Sequence, residues 1–526
     1  MKIALVAPPY PLEEAPSPPL GICYVAAACI RAGADVAIFD YIVRRYSPEN
    51  LARDIERFEP DVLGITAVTM NYKKAAQILV QAKKIKPSLV TLFGGPHVSF
   101  DVENTLMDYP ATDLVVIGEA EKTLEELVPV LTRKELWPTI PGIAFLRNGN
   151  VIRTPPRPFI QDLDTLPMPA RHLLPLSRYQ ALGYPVSIIT SRGCPNKCIF
   201  CLGRKMVGFK VRHRSVQKVV DEIETILNYG MTFINIADDL FTSSRTRVFE
   251  FCEEVKKRKL CFSWSVFARV NTVDVEILEA MKEAGCHAVS FGIESGNSQM
   301  LARVRKGITL DQARAAASAC KQSGIIAHGS FLAGLPGESR ESLNDSKKFS
   351  QELNILYGYH FLAPFPGTTI RENVHAYDLE ILSNDWDLYD ADHAIVRTSN
   401  LSARDIERFV NDAVTPIAKN WEEKVQRFHT NRVSADEWLE VAGHFRTRMI
   451  FTALSLDLLE IHGTQPGNFD QALGLLTDKI AEASRLEPDF VKEQLSDLIQ
   501  KNLIRFTPHD GGIRFFWGHN NKIPVL

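Results

Sequence analysis

Three cysteines, Cys194, Cys198 and Cys201, stand in the stretch Thr190-Ser191-Arg192-Gly193-Cys194-Pro195-Asn196-Lys197-Cys198-Ile199-Phe200-Cys201, separated by three and two residues. That spacing brings three thiolates onto one tight loop. Full protein ligation of a cubane iron-sulfur cluster takes four cysteines, so three leave one iron open to bind a substrate. Zinc, the other metal that thiolates hold, prefers four ligands, commonly paired Cys-x-x-Cys or Cys/His units. Neither a second pair nor a nearby His-x-x-x-His follows.

The other six cysteines, Cys23, Cys29, Cys252, Cys261, Cys286 and Cys320, are scattered singly through apolar or helical segments, and the odd total of nine is not a secreted disulfide framework. They read as small buried side chains. A formal charge of -3 gives no general polyanion-binding signal. The amino-terminal apolar run stops at Pro8-Pro9, too short for a signal peptide, and no run reaches membrane-spanning length. A reducing cytoplasm is the expected location, and an oxygen-sensitive cluster favours low oxygen.

These residues need elements to position them. By length the chain holds about three domains. In residues 1 to 150 short apolar runs (Ile3-Ala7, Val36-Asp40, Val62-Thr66, Val90-Phe93, Leu114-Ile117) alternate with helical patterns, which predicts an α/β, doubly wound parallel sheet. Ligands of such sheets sit at the carboxyl ends of the strands. Those ends carry Pro8-Pro9, Thr66-Ala67-Val68, Gly94-Gly95-Pro96-His97 and Gly118-Glu119-Ala120-Glu121. No Gly-x-Gly-x-x-Gly fingerprint or Walker loop occurs, so chemistry alone does not name the ligand.

Residues 151 to 185 are proline-dense and read as an extended connector. Strand-helix alternation restarts at Val186, with strands at Val186-Thr190, Phe233-Ala237, Phe262-Ala268, Ala288-Gly292, Ala327-Ala333 and Tyr359-Ala363. Six such units over 186 to 370 predict a partial (β/α)6 barrel with its site at the carboxyl strand ends. Residues 371 to 526 are mainly helical, with separate helices at Ala403-Ala413 and Trp421-Arg427, and the end, 467 to 518, has a winged-helix-like pattern. The helix in the recognition position and its lead-in carry Glu487, Asp489, Glu493 and Asp497 against only Lys492 and Lys501, which argues for a packing or capping role and against nucleic-acid binding.

The cysteine spacing, its Gly-Cys-Pro lead-in and Phe200 resemble the radical S-adenosylmethionine (radical SAM) superfamily, whose open iron chelates SAM and reductively cleaves it to a 5'-deoxyadenosyl radical. With Leu20-Gly21, Thr66-Ala67, the Gly-Gly-Pro-His turn and Gly118-Glu119-Ala120-Glu121, the first domain resembles the cobalamin-binding domain of the cobalamin-dependent (class B) members. The Val219-Val220-Asp221-Glu222-Ile223-Glu224, Ala-Asp-Asp and Asp385-Trp386-Asp387-Leu388-Tyr389-Asp390 segments are similar to those of the anaerobic magnesium-protoporphyrin monomethyl ester cyclase group.

The resemblance implies a 4Fe-4S cluster on Cys194, Cys198 and Cys201. For SAM it implies Phe200, Asp238 or Asp239 at its amino group, Arg269 at its carboxylate, Glu294 and Ser295 at ribose or the methionine end, and the backbone around Leu335 at adenine. Spacing does not choose between Asp238 and Asp239, because neighbours on extended chain point oppositely. For cobalamin it implies Gly21, Thr66, Ala67, Val68, Gly94, Gly95, His97, Gly118 and Glu119, with the Ala363-Thr368 segment closing the pocket. The Asp-x-His-x-x-Gly motif that supplies a lower histidine elsewhere is absent, so His97 is expected to pack rather than to ligate cobalt. Trp386, Tyr389, His393 and Trp421 are candidates to line a substrate cavity.

The implied activity is methylation of an unactivated carbon of a small-molecule substrate, supported by an external one-electron reductant of flavodoxin or ferredoxin type. The rival reading is ring formation or hydration with the same cofactors. A more distant one is a cobalamin- or redox-sensing DNA-binding regulator.

Overall fold

The computed structural model describes residues 1–10, 16–430 and 432–518. Seven strands form the first sheet: β1 (Lys2–Ala7), β2 (Asp35–Asp40), β3 (Val62–Thr66), β4 (Val90–Gly94), β5 (Leu114–Val116), β6 (Ile143–Arg147) and β7 (Asn150–Arg153), in the order β2-β1-β3-β4-β5-β6-β7. The first five are parallel, with registers such as Ile3 opposite both Val36 and Val62. Five of the six β1 residues are buried, because helices cover both faces.

The antiparallel pair β6 and β7 was not expected, and it carries the first sheet to Arg153, beyond residue 150. Its turn, Asn148-Gly149, has φ of 51° and 77°, the positive values that a two-residue hairpin loop requires. Asn-Gly between apolar strands was the available signal.

The proline-rich connector is also more structured than expected. It includes a helix, Leu176–Leu182, ended by Gly183 at φ 73°. Tyr179 Oη donates to Asp40 Oδ2 (2.7 Å) and Arg178 Nη1 to the Val43 carbonyl (2.9 Å), docking the helix at the carboxyl end of β2.

The barrel comprises β8 (Val186–Ile188), a hairpin of β9 (Ser191–Arg192) and β10 (Arg212–His213), then β11 (Phe233–Ile236), β12 (Ser263–Ala268), β13 (Cys286–Glu294), β14 (Ile326–Ala333) and β15 (Leu356–Phe361). The six barrel strands run in parallel in the order β15-β14-β13-β12-β11-β8, an open barrel. Ser215, Ser244, Asp274, Thr309 and Ser339 cap the helices that follow, each side chain accepting a backbone N–H in the first turn.

Beyond lie the short pair β16 (Glu380–Ile381) and β17 (Val396–Arg397), then helices and the antiparallel sheet of β18 (Thr464–Pro466), β19 (Ile504–His509) and β20 (Gly512–Trp517). Ala403–His429 is one helix of 27 residues running through Pro416, not two. A proline removes one donor from the ladder, and the flanking turns continue across it. Asp497 of helix Pro488–Gln500 pairs with Arg446 (2.7 Å) and Lys501 (3.0 Å), within the protein.

Candidate functional site

The cysteine loop leaves β8 and is tied down at its root. Buried Asp238 accepts from the backbone N–H of Thr190 (2.6 Å) and Ser191 (3.1 Å) and from their hydroxyls (2.6 and 2.7 Å). Burial pushes this carboxyl up while those four hydrogen bonds pull it down. Asp239 lies on the opposite side of the chain, exposed, with Oδ2 accepting the Gly193 N–H at 3.3 Å. It also stands near the last cysteine, since a Cβ on Gly203 would lie 2.7 Å from Asp239 Oδ1 and 3.6 Å from Cys201 Sγ. The geometry thus separates the pair that spacing left open: Asp238 anchors the loop and Asp239 faces its open side.

Gly193 has φ of 113°, and a Cβ there would come 2.3 Å from the Lys210 carbonyl oxygen. Cys194 N–H donates to the Gly208 carbonyl (3.1 Å), and Asn196 Nδ2 approaches Cys194 Sγ at 3.2 Å. The three loop thiols are free, partly or fully exposed. Cys194 and Cys198 lie close enough to act on the Cys201 thiol, so the three sulfurs share one side of the loop, as the three thiolate ligands of a cubane would. The donor set therefore fits the cluster. Burial pushes the thiols of Cys23, Cys29, Cys252 and Cys320, which lie away from the loop, up to about 12, so they hold their protons. Cys261 departs from the expected burial and is exposed.

Around the loop stands a rim of charge. Arg269, past β12, places Nη1 4.0 Å from Cys198 Sγ, while Nη2 donates to the Gly307 carbonyl at 3.3 Å and to that of Lys306. Glu294, at the end of β13 with φ of 71°, pairs with Lys306 Nζ at 2.7 Å, and that ammonium lies 5.9 Å from the Phe200 ring centre. Sequence reasoning missed Lys306, which lies beyond the strand-end segments it searched. Ser295 is fully buried, its Oγ 3.1 Å from Ser346 Oγ, and so supports the β13 exit from behind. Leu335 is also fully buried; Glu338 accepts the N–H groups of Gly334 (2.6 Å) and Leu335 (3.1 Å) and holds that turn. Burial pushes the Glu338 carboxyl up to about 8.

At the carboxyl ends of β3, β4 and β5 lies a mainly apolar cavity of about 300 Å³, walled by Gly21, Thr66, Gly94, Gly95, Gly118 and Glu119. Its far wall is Arg192, Met206 and Val207, from the segments flanking the cysteines. Gly95 has φ of 107°, and a Cβ would lie 2.5 Å from the Ala67 carbonyl oxygen. A cradle held this close to backbone lets a bulky ligand approach closely, and its volume takes one part of a large cofactor, the rest of which would lie outside it.

Ala67, Val68 and His97 lie outside that wall. His97 is buried, stacked on Tyr72 (3.9 Å between ring centres) and edge-on to Trp386 (5.0 Å). Its Nδ1 is 3.2 Å from Thr69 Oγ1 and its Nε2 3.5 Å from Asp101 Oδ2. Trp386 and fully buried Tyr389 serve this interdomain packing, with Arg371 4.5 Å from the Trp386 ring centre and bonded to Tyr389 Oη (2.8 Å). His393 pairs with Asp390 (2.8 Å), and Trp421 packs against His444 (4.9 Å). The structure therefore does not bring those four candidates together around one cavity. The expected closing segment does bridge the two sides: a Cβ on Gly367 would meet Phe100 at 2.4 Å and Leu202 at 2.9 Å.

Among the described residues no helix is long and apolar enough to cross a membrane. Family comparison matches residues 14–128 to the B12 binding domain and residues 188–350 to the Radical SAM superfamily. The chain is 37% identical to an uncharacterized methyltransferase of Pyrococcus horikoshii, over 78% of this chain and 91% of that protein. It is 30% identical to the anaerobic magnesium-protoporphyrin IX monomethyl ester cyclase of Rubrivivax gelatinosus, over 69% of this chain and 68% of that one. Its fold matches the radical SAM methyltransferase TsrM of Kitasatospora setae solved with cobalamin and a 4Fe-4S cluster, at TM-score 0.66 and 18% identity over 92% of this chain and 99% of that one. It likewise matches the cobalamin-dependent SAM radical enzyme OxsB solved with aqua-cobalamin and SAM, at TM-score 0.68 and 17% identity over 94% and 84%. Members of the superfamily act on small molecules and draw electrons from an external reductant. The chain belongs to the cobalamin-dependent radical SAM enzymes, and its cofactors are a 4Fe-4S cluster, SAM and cobalamin.

Proposed function

We propose that this enzyme methylates an unactivated carbon of a small-molecule substrate. The observation that carries the reading is the shared wall: Arg192, Met206 and Val207, close in sequence to the cluster cysteines, close the glycine-lined cavity. Two cofactors held on either side of one wall can act on one carbon. The 37% identical relative, named a methyltransferase, supports methyl transfer over cyclisation. When bound, the cluster and SAM supply the radical that takes a hydrogen atom from substrate, and cobalamin supplies the methyl group, renewed from a second SAM.

The chain's own residues bind and orient. Asp239 accepts from the SAM ammonium and Arg269 pairs with its carboxylate, a fixed planar cation suited to that group. Glu294, steadied by Lys306, faces the ribose or methionine end, and the Gly334-Leu335 backbone, held by Glu338, meets adenine. Gly21, Thr66, Gly94, Gly95, Gly118 and Glu119 cradle cobalamin. The reductant is of flavodoxin or ferredoxin type and the location cytoplasmic.

Products distinguish the readings. Anaerobic extracts of cells with and without the protein, compared by mass, give a substrate to assay. Methyl transfer then yields S-adenosylhomocysteine alongside 5'-deoxyadenosine, and 5'-deoxyadenosine with no S-adenosylhomocysteine sinks it in favour of ring formation.

A further inference from the structure

Two buried carboxylates of the first domain grip both ends of the cysteine loop. Arg192 and Arg212 are opposite residues of the β9/β10 hairpin, and the segment between them, 193–211, carries all three cluster cysteines. Like charges facing across a strand pair repel. Here Glu119 and Glu121, just past β5, stand against them. Arg192 Nη1 lies 3.2 Å from Glu119 Oε1 and its Nη2 pairs with Glu121. Arg212 binds Glu119 with both terminal nitrogens, at 2.9 and 3.1 Å, and donates to the Val207 carbonyl at 2.6 Å inside the loop. All four side chains are at most 10% exposed.

Buried ion pairs add little net stability over apolar packing, because desolvation offsets their attraction. What a bidentate pair does supply is direction. Gly118, next to Glu119, is on the cavity wall, as is Arg192 itself. The network therefore runs from the cobalamin cradle to the residue two before Cys194 without passing through any reacting atom.

We propose that Glu119 and Glu121, through Arg192 and Arg212, set the separation and tilt of the cysteine loop relative to the cobalamin cavity. They are positioning residues, and the Gly118-Glu119-Ala120-Glu121 motif is as much a clamp on the cluster loop as a cobalamin contact. The inference rests on the two-cofactor reading, not on which carbon is methylated.

The test uses full-length protein reconstituted anaerobically with iron, sulfide, cobalamin and SAM, and measures by pulsed EPR the distance distribution between cob(II)alamin and the reduced cluster. Wild type is expected to give one narrow distance. Arg212→Lys, whose side chain is off the cavity wall, should keep both cofactors but broaden or shift that distance, and slow methylcobalamin formation from SAM about 10- to 100-fold, as small misplacements of reacting groups do. An unchanged distance overturns the proposal. So does loss of either cofactor from the variants, which would make these residues part of one binding site. Glu121→Gln, which weakens only the pairing with Arg192, is the milder variant: should Arg212→Lys not fold, an unchanged distance in it refutes the clamp. A wild type that takes up no cobalamin or no cluster would instead refute the two-cofactor reading.

Discussion

The barrel rim and the first-domain cavity face one another across Arg192, yet they are built from opposite materials. The rim is charge held in place: Arg269 beside Cys198, Glu294 on Lys306, Asp239 on Gly193. The cavity is mostly absence of side chain: Gly21, Gly94, Gly95 and Gly118 against apolar residues, with its charges, Glu119, Glu121 and Arg192, paired with one another. A small zwitterion on an open iron is recognised by matched charges, whereas a large ring system is recognised by shape. Substitutions at the two faces should therefore fail differently.

The sharpest break is Cys198→Ala. Two thiolates do not hold the cluster, so iron and sulfide loading and reductive SAM cleavage should vanish together, while cobalamin uptake stays near wild type. Anaerobic metal analysis with chromatography for 5'-deoxyadenosine checks this. Retained cleavage would remove the cluster assignment, and joint loss of cobalamin would erase the contrast between the faces.

Gly95→Ala is the converse. The added Cβ would meet Ala67 backbone at a positive φ, a strain of about 1–3 kcal/mol. That strain lowers stability in free and loaded protein alike, and the turn, pushed off Ala67, reshapes the cradle and weakens cobalamin binding with cluster loading unaffected. Titration followed by visible spectroscopy reads it, and unchanged affinity would mean the cradle does not touch the cofactor.

Much of this contrast was legible in the sequence, for different reasons on the two sides. The parallel strands announced themselves through apolar runs such as Ile3-Ala7, and the strand-end motifs through glycines and cysteines whose chemistry is local. Long-range partnering was not legible. Nothing in Asp238-Asp239 says which carboxylate the Thr190-Ser191 hydroxyls will claim, since that depends on β8 pairing with β11. His97 followed the glycine turn into the sequence list of contacts, but Tyr72 and Trp386, from distant segments, enclose it. Lys306, Arg192 and Arg212 matter through ion pairs formed across the fold. The β6/β7 hairpin alone was missed against a plain local signal, Asn148-Gly149.

A subtler test concerns charge behind the rim. Glu338 is fully buried and pushed from 4.5 to about 8 by burial. Its folded-state pKa lies above the unfolded one, so the folded protein binds this proton more tightly. The stability it lends is present below about pH 4.5 and lost as pH rises through about 8. Glu338→Gln keeps a neutral acceptor for the Gly334 and Leu335 N–H groups and removes the titration. The variant should melt higher than wild type at pH 8 to 9 and alike at pH 5. Parallel melting curves across that range would show that the rim is not charge-sensitive there.

The smallest expected effect falls on a residue beside the cavity but not of it. Burial lowers the His97 pKa, so the imidazole is neutral in the folded protein near pH 7. Its Nδ1 meets Thr69 and its Nε2 points to Asp101, so neither nitrogen is directed into the cradle. Removing the ring leaves a gap between Tyr72 and Trp386, at about 1–3 kcal/mol of stability for a lost buried aromatic contact and its hydrogen bond. The His97→Ala protein should still bind cobalamin with an unchanged visible and EPR spectrum of the type that lacks a histidine ligand. A wild-type cob(II)alamin signal with nitrogen splitting that disappears in the variant would move His97 onto the cobalt and make the cavity, too, a site of ligation instead of shape.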